Sequence, residues 1–252
     1  MKTVNGLLVC LSILPLTACS AVAQTGNEYG SVDEVEVPPA RSTYLGRRIA
    51  QTMGWGGASW LIRETRESEE RPSEVMKQLG LKAGMTVCDL GCGNGFYSLM
   101  MAKQILPDGK VLAVDIQPEM LHLLELRAKD KGIENIKPIL SNVIDPKLPK
   151  GEVDLVLLVD VYHEFSHPQL MLQGIRDSLS EKGVVALLEY REEDPTVPIK
   201  PLHKMSKRQI LLEYKTNGFR LAKQYDGLPW QHLMFFEKDP DWRPKAFSTR
   251  NN

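Results

Sequence analysis

The spacing of hydrophobic positions changes several times along the chain, and each change marks a predicted element. Gly6 to Leu16 is an apolar run behind the positive Met1-Lys2 start. It is too short to span a bilayer and has the length of a signal-peptide core. From Ser20 to about Ala40 the chain is polar, with Gly26, Gly30 and Pro38-Pro39, the pattern of a flexible tether. Between Tyr44 and Arg71, apolar Tyr44, Ile49, Met53, Trp55, Trp60, Leu61 and Ile62 alternate with Arg47, Arg48, Arg63 and Arg66. That predicts one or two short helices broken at Gly54-Trp55-Gly56-Gly57. Pro72-Ser73 then opens a helix over 74–79, stopped by Gly80.

From Thr86 onward the pattern becomes a regular alternation. Short apolar runs over 86–90, 111–116, 136–141, 153–161 and 184–190 read as strands, and the stretches 97–104, 118–131 and 168–179 read as helices. Pro118 suits a first helical turn. The run 153–161 is almost continuously apolar, as a central parallel strand covered on both faces must be. Ser206 caps a helix over 207–216 that Asn217-Gly218 closes. Two final runs, 220–225 and 232–237, have no helix between them, and no internal repeat is present. Strands alternating with helices predict an α/β fold around a largely parallel sheet.

The candidate chemistry is concentrated in Val87-Cys88-Asp89-Leu90-Gly91-Cys92-Gly93-Asn94-Gly95-Phe96. A strand ends in an acid and breaks into a loop with glycine at every second position. Glycine permits positive φ and close approach of a ligand to the backbone, and the following helix points free N–H groups at whatever the loop holds. The next strand, Lys110-Val111-Leu112-Ala113-Val114-Asp115, ends in a second acid. A dinucleotide site needs G-x-G-x-x-G, but position 96 is Phe96. The glycines instead read G-x-G-x-G.

With Asp89 before it and Asp115 after it, this pattern resembles the class I S-adenosylmethionine-dependent methyltransferases over roughly residues 72–238. The resemblance implies a Rossmann-like, seven-stranded, mostly parallel sheet closed by a C-terminal antiparallel hairpin, with S-adenosyl-L-methionine as cofactor. It implies that Gly91, Gly93 and Gly95 cradle the methionine end, with Asp89 beneath, and that Asp115 accepts the ribose hydroxyls. Ile116 and Val143 would sandwich the adenine, and Asn142 would meet its polar edge. Asn142 stands where the family often carries aspartate. Within the class, the general resemblance is to small-molecule methyltransferases of the quinone-biosynthesis type.

Methyl acceptors in this class lie over the end of the fourth strand, here Asp160-Val161-Tyr162-His163-Glu164-Phe165-Ser166-His167. His163 is the candidate general base, with Glu164 or Asp160 orienting it and Tyr162 facing the acceptor. The long loop 191–205 carries Pro195, Pro198 and Pro201 and shapes the same rim. Its Arg191, His203 and Lys204 are candidates for an anionic acceptor, and Trp230 and His232 for a wall at the hairpin turn. Trp60 and Arg63 would face the site from a lid. His163-Glu164-x-x-His167 also spells the H-E-x-x-H of zinc peptidases, but it follows directly on a buried strand, and His167 precedes Pro168, which disfavours a helix there. No metal is therefore among the expected cofactors, and zinc peptidase is the lesser alternative. A non-catalytic lipoprotein binding a nucleoside or other small ligand is the other.

A net charge of −1 over 252 residues argues against a nucleic-acid-binding face. Leu16-Thr17-Ala18-Cys19 resembles a bacterial lipoprotein cleavage box, with Cys19 as the lipidated residue. Cys88 and Cys92 read as small packing residues. The expected organisation is a leader (1–18), a tether (19–43), a helical lid (44–71), the methyltransferase domain (72–240) and a tail (241–252). The signal places the protein on the outer face of a bacterial membrane. The cofactor, a cytosolic metabolite, argues for the cytoplasm. The partner is a small or lipid-like methyl acceptor, with the membrane added if Cys19 is acylated.

Overall fold

The computed structural model describes residues 36–243. The leader, Cys19, most of the tether and the end of the tail lie outside them. Among the described residues, no helix is long and apolar enough to cross a membrane.

The chain enters as a small hairpin, β1 (Thr43–Tyr44) and β2 (Arg47–Arg48), followed by a 3-10 helix at Trp55–Ile62, α1 (Arg66–Glu70) and α2 (Pro72–Gln78). The hairpin replaces the first predicted helix. Leu45 and Gly46 both take positive φ, the turn that folds β2 back on β1. The glycine-rich stretch at 54–57 begins a helix instead of breaking one. The last tether residues already belong to the body, since Arg41 N–H donates to Ser166 O and the Pro38 carbonyl pairs with His167 Nε2.

The alternation then runs β3 (Thr86–Leu90), α3 (Phe96–Gln104), β4 (Lys110–Asp115), α4 (Pro118–Asp130), β5 (Ile136–Leu140), β6 (Val153–Val159), α5 (Pro168–Ser178), β7 (Leu179–Arg191), β8 (Lys204–Met205), α6 (Lys207–Thr216), β9 (Phe219–Tyr225) and β10 (Gln231–Lys238). The sheet order is β5-β4-β3-β6-β7-β10-β9, with β8 beside β7. Only β10 breaks the parallel run, pairing antiparallel with both β7 and β9. Pro138 sits in the edge strand β5, which bonds only to β4 and so tolerates a missing N–H.

β7 starts earlier than the sequence pattern predicts, directly after α5, so Lys182-Gly183 lies inside the strand. There the pairing jumps from Val153↔Leu179 to Leu155↔Val184. A Cβ at Gly183 would come within 2.5 Å of the Val153 carbonyl oxygen. Glycine serves that close approach in a bulged strand.

Successive strand residues point to opposite faces of the sheet. Val87, Val111, Leu155, Leu157, Ala186 and Leu188 pack with Val75, Met76 and Met101. Cys88, Leu112, Val114, Val156, Leu158 and Val185 pack with Leu172, Ile175 and Tyr214. Both faces of the central strands are buried, which is why β6 reads as a nearly unbroken apolar run. Cys88 and Cys92 are buried free thiols.

Candidate active site

All the loops at the carboxyl ends of β3, β4, β5 and β6 open on one cavity of about 470 Å³. This is where an open parallel sheet binds its ligands. The floor is the glycine loop. Gly91 and Gly93 take φ of +74° and +52°. A Cβ at Gly91 would lie 2.4 Å from Val161 Cγ2, and one at Gly93 would lie 2.5 Å from Leu61 Cδ1. Both line the cavity. Gly95 does other work: at φ +80° it begins α3, and its missing side chain lets α4 approach, with Leu124 Cγ at 2.6 Å from a Cβ built there.

Asp115 ends β4 in the cavity wall. Its Oδ2 accepts from Gly93 N–H at 2.9 Å and its Oδ1 from Gln117 N–H at 2.9 Å. The acid thus holds the glycine loop in shape, and with about four lone-pair sites the carboxylate can still accept from a hydroxyl. Burial raises its pKa in spite of these bonds. Asp89 is buried below the loop, away from the cavity, and accepts from Ser98 Oγ at 2.6 Å. Burial pushes its pKa up to about 6. Ile116, Asn142 and Val143 line the cavity. Asn142 Oδ1 already accepts from Ile144 and Asp145 N–H at 2.9 and 2.8 Å. Both its lone pairs are engaged, so its amide N–H groups are what it offers a ligand.

Asp160 is not the partner of His163. It is a non-glycine residue at φ +50°, the kind of backbone strain that collects at functional sites. Its Oδ2 accepts from Gln231 Nε2 at 2.7 Å, while its buried Oδ1 has no partner. Burial, then the charges of Glu70 and Glu189, lift its pKa well above the usual range. An orphaned acid in a cavity wall calls for a cationic partner. With the side-chain-free cradle at Gly91 and Gly93, and with Asp115, it makes a fit for S-adenosylmethionine, which carries an ammonium group, a ribose and a flexible chain joined to it through a sulfonium.

A polar cluster that also lines the cavity is built from distant segments. His163 sits on the 3-10 turn Tyr162–Glu164 that follows β6. Its N–H donates to Glu189 Oε1 at 3.1 Å, and its Nδ1 meets Glu189 Oε2 at 2.6 Å. Glu189, not Glu164 or Asp160, therefore orients the imidazole. Burial disfavours charge on His163, but Glu189 outweighs it and raises the pKa. On the other side, His163 Nε2 faces His203 Nδ1 at 3.0 Å. Burial and then the neighbouring His163 lower the pKa of His203. Glu164 accepts from Met53 N–H at 3.2 Å, and burial pushes it up to about 7. His163, Glu164 and His203 all line the cavity.

Five expected acceptor contacts lie elsewhere. Tyr162 is fully buried and donates to Glu213 Oε2 at 2.7 Å in the core beneath. Arg191 turns to the hairpin loop, donating to the Asp226 carbonyl at 2.9 Å. Lys204 ties its own loop together through the Asp194 and Val197 carbonyls. His232 is buried against Glu193, at 2.8 Å. Trp230 is not among the residues lining the cavity. The H-E-x-x-H reading fails geometrically: Phe165 is extended, and His167 turns to Ser166 Oγ and the Pro38 carbonyl.

The N-terminal segment contributes to the cavity wall. Met53, Trp60 and Leu61 line the cavity, but Arg63 does not. Arg63 lies 3.7 Å over the Trp60 ring and pairs with Glu69 and Glu70. Arg66 and Tyr190, which sequence reasoning missed, do line it. Both hold the fully buried Glu70, Arg66 Nε and the Tyr190 hydroxyl each at 2.6 Å. Glu189 was missed as well. Its signal was an acid inside the apolar run 184–190, a residue that needs a buried partner.

This arrangement, an open sheet with one reversed strand and a glycine cradle flanked by Asp115, is the class I methyltransferase architecture. A family profile described as a methyltransferase domain matches residues 81–227, more than half of the chain, and the chain belongs to that family. A crystal structure of a SAM dependent methyltransferase from Aquifex aeolicus is 25% identical, with a TM-score of 0.69, and the match covers 73% of this chain and 98% of that one. A demethylmenaquinone methyltransferase of Lactococcus lactis is 27% identical over 127 residues, half of each chain. One from Geobacillus stearothermophilus is 25% identical over 158 residues, 62% of this chain and 65% of the relative. The chain thus spans about half to just under two thirds of the length of these curated relatives.

Proposed function

We propose that the protein transfers a methyl group from S-adenosylmethionine to a small, quinone-like or otherwise lipid-like acceptor. The observation that carries this reading is the continuity of one cavity. Its floor is the glycine loop with Asp115, and its far end is a polar cluster of His163, Glu164 and His203. The cofactor supplies an electrophilic methyl on a sulfonium. The chain's residues bind, orient and exclude water. Gly91 and Gly93 admit the ligand to the backbone, and Asp115 and Asp160 take its hydroxyls and its ammonium. Met53, Trp60 and Leu61 close the cavity over it. At the far end, Glu189 holds the His163 ring so that Nε2 faces the cavity, where it can take a proton from an acceptor. The demethylmenaquinone methyltransferase relatives favour a quinone-like acceptor, and the apolar walls of Ile199 and Phe165 suit a ring.

The test is calorimetric binding of S-adenosylhomocysteine, followed by transfer of labelled methyl to a panel of hydroquinones and phenols. No binding of the homocysteine product would overturn the reading. Lipidation at Cys19 is part of the proposal. Stable anchoring takes more than one acyl chain, so palmitate labelling with fractionation of wild type and Cys19→Ser tests it. An unlabelled protein that stays soluble and keeps Met1 would place it in the cytoplasm.

A further inference from the structure

We propose that His163, His203 and Glu164 form a binding site for a divalent transition-metal cation of the Zn²⁺ type at the acceptor end of the cavity. Their ligand atoms all lie within 4.8 Å of one another. His163 Nε2 and His203 Nδ1 are 3.0 Å apart, and Glu164 Oε1 is 3.9 Å from the first and 4.0 Å from the second. A tetrahedral zinc with bonds of about 2.0–2.2 Å holds its ligand atoms roughly 3.3–3.5 Å apart. Adjustments of about half an ångström therefore bring all three donors onto one cation.

The surroundings match a metal centre more closely than an unassisted histidine pair. Glu189 Oε2 at 2.6 Å from His163 Nδ1 makes that nitrogen a donor and turns Nε2 to the cavity as a lone pair. This is the carboxylate–histidine arrangement that orients metal-bound imidazoles. His163 and Glu164 are held on a short turn by Glu189 and Met53 N–H, so two of the three donors are pre-positioned. His203 arrives from a second short turn, Pro201–His203, and its side chain is about a third exposed (31%). Two histidines and a carboxylate leave a fourth position, and all three residues line the cavity. That is the open, three-ligand form of a catalytic zinc site, not the closed form of a structural one. The ligands differ from the H-E-x-x-H reading of the sequence, because His203 stands where that motif would have used His167.

The consequence for the acceptor rests on the methyltransferase reading. An open coordination position facing the cavity selects an acceptor that presents a hydroxyl or enol oxygen. With the cation bound, the Nε2 lone pair of His163 would be a ligand and no longer a base, and the metal would polarise and position that oxygen in its place.

The test uses the full chain, stripped with a chelator and then titrated with Co²⁺ by visible absorption and with Zn²⁺ by equilibrium dialysis. The expected result is one equivalent bound with the absorption of a low-symmetry nitrogen–oxygen site. Affinity should fall at least 100-fold in His203→Ala and in Glu164→Ala, and about 10–100-fold in Glu189→Gln. His122→Ala, on the exposed face of α4, should bind like wild type. Binding of S-adenosylhomocysteine is measured on the same samples and should be unchanged in His203→Ala, which shows that the variant is folded. Zinc binding that is absent from wild type, or that survives in His203→Ala, overturns the site. Zinc binding that depends on His203, in a protein that fails to bind the homocysteine product, supports the site and sinks the methyl-transfer reading instead.

Discussion

The two ends of the cavity are built on different principles. The cofactor end draws Gly91, Gly93, Asp115, Ile116, Asn142 and Val143 from the ends of three consecutive parallel strands, each within a few residues of its strand. The acceptor end brings together His163 after β6, Glu189 within β7 and His203 from the long loop beyond it. At the first end the surface offered to a ligand is largely backbone, and what it needs is positive φ and absent side chains. At the second, side chains from separate segments hold one another. A site made of backbone is written locally, whereas a site made of side-chain pairs exists only once the sheet has assembled.

Substitutions that separate the ends test that contrast. The largest effect is expected at His163. His163→Ala should lower turnover about 10²–10⁴-fold, as loss of a positioned acid–base or ligand group does. Its affinity for S-adenosylhomocysteine, measured by calorimetry, should stay near wild type. If cofactor affinity falls in step with turnover, the two ends are one unit and the contrast fails.

Asp115→Ala should do the reverse. It removes the carboxylate proposed to take the ribose hydroxyls and strands the Gly93 and Gln117 N–H groups that now bond to it. A loss of about 2–4 kcal/mol in homocysteine-product binding is expected, since hydrogen bonds to charged groups contribute roughly 1.5–3 kcal/mol each without adding fully. Calorimetry on the variant decides it, and unchanged affinity would remove Asp115 from the site.

Asp89 sharpens the contrast through pH. Burial raises its pKa to about 6 from an ordinary 3.8. The folded state therefore holds the proton more tightly than the unfolded one. Stability from this group is fully present below about pH 4, is lost as pH rises through the folded value near 6, and is flat above it. Asp89→Asn should flatten this by roughly 2–3 kcal/mol, at about 1.4 kcal/mol per pKa unit. Urea unfolding of ligand-free wild type and variant at pH 4 and pH 7 measures it. A variant whose stability differs from wild type by the same amount at both pH values would show that Asp89 titrates normally.

The smallest effect is expected at Arg191, which touches hairpin carbonyls and not the cavity. Arg191→Ala should change stability by no more than about 0.5 kcal/mol, the usual range for a surface substitution, and should leave the KM for acceptor near wild type. A rise in KM of tenfold or more would return Arg191 to the acceptor site.

Much of the molecule can be read along the chain because its causes are local. The alternation of apolar runs places β3, α3, β4, α4 and β6 within a residue or two of their observed bounds. The G-x-G-x-G spacing marks the cradle, because no other residue fits a backbone with positive φ pressed against Val161. The β7 bulge escapes such a reading, since Gly183 looks like a turn until Val153 of the neighbouring strand is seen against it. Arg191 and Lys204 look like anion ligands for the same reason: a charged side chain does not reveal which carbonyls it will reach. The acids show the division most clearly. Asp115 announces itself at the end of a strand, whereas Glu189 is only an anomaly within one. Its role as the partner of His163 arises when β6 and β7 pair in register and bury both groups, where the cost of an unpaired charge leaves them no stable choice but each other.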